Sequence, residues 1–180
     1  MGNFMFNLTG KTALITGASG GIGGAIAKAL KAQGAKIAIS GTNQEKLDAL
    51  AAELGGDVVV IAANLSDKAD VERLGKEAEE KLGTVDILVN NAGVTKDGLF
   101  MRMKDEDFES VMNVNLTSCF VLTRTVIKGM FKRRYGRIIN ISSIVGTMGN
   151  PGQANYCASK GGLVAMTKSI AQEAASRNIT

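Results

Sequence analysis

Tyr156 and Lys160 stand four residues apart in NPGQANYCASKGGL, Asn150 to Leu163, a stretch otherwise built mainly from small residues. Read as a helix with about 3.6 residues per turn, the stretch puts the phenol and the ammonium on nearly the same face, where their side chains can meet. A free phenol has a pKa of about 10, and a nearby ammonium stabilises the phenolate left after a proton is given up. Such a pair can act as a general acid toward a developing alkoxide. The competing reading is a surface Tyr/Lys contact at helical spacing, which contributes only about 0.2–0.5 kcal/mol. The small neighbours imply that a second helix or a ligand comes close to this backbone. With no histidine in 180 residues, imidazole-dependent triads, HExxH zinc sites and histidine-ligated haem are excluded, and acid or base chemistry has to use another group.

A second cluster is rich in glycine. The apolar run KTALIT leads directly into TGASGGIG, Thr16 to Gly23, and then into a helical pattern. Glycines at 17, 21 and 23 let the turn close, a pyrophosphate approach the backbone, and helix and strand pack closely, with the phosphates at the helix N-terminus. The spacing differs from GxGxxG, and a tight strand-to-helix turn without a ligand is the competing reading. A chain selecting NAD carries a carboxylate about 20 residues further on, at the end of the second strand, to hold the ribose 2′-hydroxyl. Here that segment reads Ser40, Gly41, Thr42, Asn43. Without the charge there is room for a 2′-phosphate hydrogen-bonded by Ser40 or Thr42, so NADP is expected, although no arginine stands at Gly20 or Gly41 to clamp it.

NNAG, Asn90 to Gly93, closes the fourth apolar run. There Asn91 could bond either backbone or cofactor and Gly93 permits close approach, with an ordinary turn as the alternative. Asn64 after the third run has a similar position and could contact the adenine. Ser142 and Ser143 end the fifth run, thirteen residues before Tyr156 for the second of them, and read alone they are cap or loop hydroxyls. Their company with Tyr156, Lys160 and the glycine loop gives them a second reading, as partners of a substrate carbonyl.

The elements that must position these groups alternate along the chain. KTALIT is followed by a helix from about Ile22, KIAIS by one over Gln44 to Leu54, and DVVVIA by one over Lys68 to Leu82. DILVN precedes a long helix near Phe108 to Phe131, and RIINIS precedes the helix holding Tyr156. Short apolar strands separated by amphipathic helices predict a doubly wound parallel α/β sheet, a Rossmann-like fold covered on both faces. With 45% hydrophobic residues, one proline and no Ser/Gly-rich linker, residues 1–180 read as a single dinucleotide-binding catalytic domain. The closing SRNIT looks like the lead into a further strand, so the sheet is expected to lack its last strands and the domain its C-terminal part.

A net charge of +4 from 21 basic and 17 acidic residues is too mild to argue for nucleic acid. Cys119 and Cys157 have no CxxC spacing, which argues against a disulfide framework or a thiolate metal site and for a reducing, cytoplasmic setting. MGNFMFNLTGK shows neither a basic-then-apolar leader nor a myristoylation signal, and no apolar run approaches the roughly 20 residues that span a bilayer, so no membrane association is expected.

Taken in order, TGxxxGxG, NNAG, a strand-end serine and YxxxK make the chain resemble the short-chain dehydrogenase/reductase family over essentially all its length. DGLFMRMKDEDF, GRIINISSIVGTMGNPGQANYCASKGGL and ASRNIT are similar to the 3-oxoacyl-[acyl-carrier-protein] reductases of bacterial fatty-acid synthesis. The resemblance implies Tyr156 as proton donor, Lys160 as its electrostatic partner, Ser143 as a carbonyl-orienting hydroxyl, and Asn115 in NVNL as an organiser of helix and water. It implies NADP contacts at Gly17, Ser19, Gly20, Gly21, Ile22 and Gly23, at Ser40 and Thr42, at Asn64 and Leu65, at Asn91, Ala92 and Gly93, and at Tyr156 and Lys160. The implied reaction is NADPH-dependent reduction of a 3-oxoacyl thioester.

KRRYGR, Lys132 to Arg137, reads from its residues as a solvated helix end whose charge suits the C-terminal dipole. The resemblance implies a docking role for Arg134, with Arg177, toward an acidic acyl carrier protein. It also implies a homotetramer built on the long helix around Ser110 to Met130 and the small-residue face of the Tyr156 helix, faces that are otherwise ordinary core. Two alternatives stay open: a related reductase for acetoacetyl-CoA, a sugar or a secondary alcohol, and a cofactor-binding module inactive through truncation.

Overall fold

The apolar runs form strands covered by helices, which is why they read as continuous hydrophobic segments rather than as alternating ones. The computed structural model describes residues 6–180; the first five residues, part of the stretch read above for a leader, lie outside the described residues. Strand β1 (Thr12–Ile15) is followed by α1 (Gly21–Ala32), β2 (Lys36–Gly41), α2 (Gln44–Leu54), β3 (Val59–Ala62), α3 (Lys68–Leu82) and β4 (Ile87–Asn90). Then come α4 (Asp105–Met112), α5 (Ser118–Arg133), β5 (Arg137–Asn140), the one-turn α6 (Val145–Met148) and α7 (Ala154–Ala174). All strand pairs are parallel, in the order β3-β2-β1-β4-β5, with Leu14 of β1 opposite Ala38 of β2 and Leu88 of β4. This is the doubly wound α/β architecture that the alternation predicts.

Successive strand residues point to opposite faces, so β1 divides its side chains between two cores. Leu14, Ala38 and Leu88 pack with Leu74 and Ala78 of α3 and with Leu122, Val126 and Met130 of α5. Ala13, Ile15, Ile37, Ile39 and Val89 pack on the other face with Ala27 of α1 and Leu47 of α2. From β1 the sheet grows through β2 and β3 on one side and through β4 and β5 on the other. A sheet that reverses its winding in this way opens a crevice beyond the carboxyl ends of its strands at the reversal, here beyond Ile15 and Asn90.

Two helix expectations are corrected. The helix read near Phe108 to Phe131 begins at Asp105, ends at Arg133 and is interrupted by a π-helical turn at Asn113–Thr117. The tyrosine helix starts at Ala154, not Asn150, because Gly149 and Gly152 take left-handed backbone (φ 75° and 79°) and the intervening residues close a turn, Gln153 N donating to Asn150 O at 3.1 Å. At the edge beside β5, Ile179 makes a parallel bridge to Gly136, so SRNIT does lead into strand pairing. Among the described residues no helix is long and apolar enough to cross a membrane.

Candidate active site

A cleft of about 460 Å³ lies over the carboxyl ends of β1 to β4, where the sheet reverses. Every loop residue read as a cofactor contact lines it: Gly17, Ser19, Gly20, Gly21, Ile22, Gly23, Ser40, Thr42, Asn64, Leu65, Asn91, Ala92 and Gly93. Gly41, Ala63, Ser66, Val94 and Val114 complete the wall.

The three glycines singled out by spacing do three different things. Gly17 has φ +64°, the left-handed conformation that turns the chain sharply after β1. A Cβ on Gly21 would meet nothing within 4 Å, so space opens above the first residue of α1. A Cβ on Gly23 would run into the Gly17 carbonyl oxygen and stand 2.6 Å from Asn91 Nδ2, so helix and loop pack as closely as backbone allows. Whereas α2 and α3 start on side-chain caps from Asn43 and Asp67, α1 starts on Gly20, with no side-chain cap and no acidic residue in its first turn. Its first amides and the positive end of its dipole are left for an anion in the cleft.

Asn91 bonds backbone, the first of the two options read for it. Its Nδ2 donates to Thr16 O at 2.9 Å and Gly17 O at 3.2 Å, while the Thr16 hydroxyl accepts from Asn91 N at 3.1 Å. The ends of β1 and β4 are thereby stitched together. Asn64 is held by a pair that the sequence reading missed. Asp70 Oδ2 accepts from Asn64 N at 2.6 Å, its Oδ1 accepts from Arg73 Nε at 2.7 Å, and Arg73 Nη2 donates to Ala62 O at 2.7 Å. The Asn64 amide, ahead of the Arg73 guanidinium, holds the Asp70 carboxyl below the usual carboxylate range. Its signal was an Asp and an Arg three apart in the first turns of a helix that follows a strand.

Lys160 and Asn115 stand at the Gly93 end of the cleft: a Cβ on Gly93 would be 3.3 Å from Asn115 Oδ1 and 3.5 Å from Lys160 Nζ. The Lys160 ammonium lies over the Tyr156 ring, 5.7 Å from its centroid, and donates to Ile141 O at 2.7 Å. The two side chains approach as their spacing predicts, yet among the described residues the ammonium's hydrogen bond goes to that carbonyl and not to the phenol oxygen. Burial pushes the Lys160 ammonium below the ordinary lysine range. Ser142 is structural, its hydroxyl donating to Lys160 O at 3.1 Å, whereas the half-buried Ser143 hydroxyl has no hydrogen-bond partner among the described residues.

The small residues of α7 make room for protein backbone. Gly161 lies against α6, where a Cβ would be 2.8 Å from Gly146 O, and Gly162 lies against Leu116 of the π turn. Asn155 and Ser159, which sequence reasoning passed over, fix the tyrosine's backbone: Asn155 Oδ1 accepts from Tyr156 N at 2.7 Å, and the Ser159 hydroxyl donates to Tyr156 O at 2.8 Å. Asn115 is fully buried, accepts from Val94 N at 2.8 Å, and donates to Val94 O at 2.9 Å and to Ser159 Oγ at 3.1 Å. It therefore ties the β4 loop to α7 from within the π turn, an irregularity common at functional sites. Asn115→Leu strips the Val94 amide and carbonyl and the buried Ser159 hydroxyl of a partner and is expected to cost about 2–3 kcal/mol in chemical denaturation.

Arg134 and Arg177 come together away from this site. Arg134 closes α5 in left-handed backbone (φ 55°) and its guanidinium donates to Ser176 O at 3.0 Å, next to the exposed Arg177. Asn115 and Arg134 lie at opposite ends of the α5 segment, roughly 25–30 Å apart at helical rise.

The profile of the short chain dehydrogenase family matches residues 11–180. Nodulation protein G of Rhizobium sp. (strain N33) is 61% identical over 176 residues, which cover 98% of this chain and 72% of that protein. The 3-oxoacyl-[acyl-carrier-protein] reductase FabG of Rickettsia conorii is 56% identical over 98% of this chain and 71% of its own length. The Escherichia coli protein of the same name is 49% identical over 97% and 71%.

Proposed function

Because the chain belongs to the short chain dehydrogenase family, we propose that it reduces 3-oxoacyl thioesters carried on acyl carrier protein to 3-hydroxyacyl thioesters, with NADPH as reductant. The reading rests on one observation: a buried lysine ammonium lies over the ring of Tyr156 at the end of a cleft walled by a glycine loop. The site fits a nicotinamide dinucleotide, because the first amides of α1 lack a cap and the space above Gly21 is open. The bound cofactor supplies the hydride that reaches the carbonyl carbon.

The chain's own residues do the rest. The Ser143 hydroxyl, free of intramolecular partners among the described residues, hydrogen-bonds the substrate oxygen and orients it. Tyr156 gives its phenolic proton to that oxygen as negative charge develops there. Lys160 stabilises the phenolate through its field from across the ring, fixed by Ile141 O rather than by the phenol itself. Asn115 holds Val94 and Ser159 so that the cleft floor and the tyrosine helix keep their spacing.

Arg134 and Arg177 form the dock for the acidic carrier. They lie at the far end of α5 from the cleft, and the protein acts as a homotetramer in the cytoplasm. The 61% identity to Nodulation protein G favours one second reading, the same chemistry on another carbonyl substrate. Steady-state NADPH oxidation decides between them. Carrier-linked acetoacetate is expected to turn over with the higher kcat/KM than acetoacetyl-CoA, and Arg134→Glu to raise KM about tenfold for the carrier-linked form alone. Equal effects on both substrates remove the docking role. NADPH binding without oxidation of either leaves a cofactor-binding module.

A further inference from the structure

The glycine loop has a second side. Ser19, Gly20 and Gly21 wall the main cleft and also a shallower concavity of about 290 Å³, whose rim carries Lys28, Lys46 and Leu50 and no carboxylate. A Cβ on Gly20 would meet only Gly17 O, at 3.4 Å, and one on Gly21 would meet nothing, so no side chain from these two positions divides the two spaces. Lys28 is occupied by Glu53 at 2.6 Å. Lys46 has no ion pair among the described residues, and its backbone is fixed because Asn43 Oδ1 accepts from Lys46 N at 2.9 Å.

The neighbouring strand end has no charge of its own. β2 finishes in Ser40 and Gly41 and continues into Thr42, without the carboxylate that would hold a ribose 2′-hydroxyl. A Cβ on Gly41 would stand 2.8 Å from Ser19 Oγ, so the Ser19 hydroxyl occupies the position above the strand end, and it has no hydrogen-bond partner among the described residues. The free Ser19 hydroxyl therefore borders the place where the adenosine ribose of a dinucleotide lies when its pyrophosphate is on α1, and the unpaired Lys46 ammonium stands on the rim of the concavity that shares Ser19 with the cleft. We propose that Lys46, with Ser19, recognises the 2′-phosphate of NADP and sets the preference for NADP over NAD, supplying the cation that neither Gly20 nor Gly41 provides. The inference rests on the reading of the cleft as an NADP site. A phosphate dianion is stabilised by a charge-assisted donor even at a surface, with a strength that falls as salt rises.

Titration of the intact chain with NADPH and with NADH, followed by nicotinamide fluorescence and without substrate, tests it. Lys46→Met is expected to weaken NADPH about tenfold and leave NADH within about twofold, Lys46→Glu to bring the two affinities close to equality, and Lys28→Met to change neither ratio. The wild-type preference should also shrink between low and high salt. A wild type that binds NADH as tightly as NADPH would overturn the NADP reading itself. A wild type that prefers NADPH while Lys46→Met keeps the same ratio would overturn the role of Lys46 alone, as would a loss that moves to Lys28→Met. Thermal unfolding of each unliganded variant within about two degrees of wild type shows that the ratios report on the ligand.

Discussion

Tyr156→Phe is expected to lower turnover by about a thousandfold or more while leaving NADPH affinity within about threefold. The substitution removes one hydroxyl and little else. The backbone of Tyr156 is set by Asn155 Oδ1 on one side and the Ser159 hydroxyl on the other, neither of which depends on the phenol. Its hydroxyl has no hydrogen-bond partner among the described residues, so no buried group loses a bond and the fold should keep its stability. Lys160 makes a less clean test. Its Nζ donates to Ile141 O, and its removal would change the exit of β5, and with it Ser142 and Ser143, as well as the charge near the phenol. Single-turnover rates measure the chemical step, and fluorescence titration measures binding separately. A Tyr156→Phe variant that keeps most of the wild-type rate would remove the phenol from the reaction and leave the cleft as a binding site only.

The strands were legible because parallel strands covered on both faces have no polar alternation: ALI and ILV admit hardly any other reading between glycine-rich turns. The same physics hid the π turn. NVNLT continues the helical pattern on both sides of it, and the widened turn shows only in the folded backbone, from which Asn115 bonds Val94 and Ser159. The start of α7 is not legible in the sequence because small residues before Ala154 fit a helix as well as a turn, and the left-handed glycines at 149 and 152 decide for the turn. For the site, spacing along one segment was readable: Gly17, Gly21 and Gly23, or Tyr156 and Lys160. Bonds between segments distant in sequence were not. Nothing in NNAG says that Asn91 would spend its amide on Thr16 and Gly17, and nothing in DVER says that it would clamp Ala62 and Asn64.

Two glycines of one loop give the sharpest separation of packing from binding. Gly23→Val is expected to destabilise the fold by about 3 kcal/mol and to weaken cofactor binding by at least about a hundredfold. The new side chain meets the Gly17 carbonyl and Asn91 Nδ2, neither of which can step aside without breaking the bonds that join β1 to β4, so α1 must lift from the strand ends. Gly21→Ala is opposite in kind. No atom outside its own turn of helix lies within 4 Å of the added methyl, and alanine favours a helix over glycine by up to about 1 kcal/mol in a helix interior, so the unliganded variant should be as stable as wild type or slightly more so. Any loss of NADPH affinity in Gly21→Ala, expected at about tenfold or more, then comes from the ligand occupying that space rather than from the protein. Denaturant melts and cofactor titrations on both variants separate the two effects. An undiminished affinity in Gly21→Ala would mean that the phosphates do not lie against the first residue of α1, and the assignment of the cleft would fall with it.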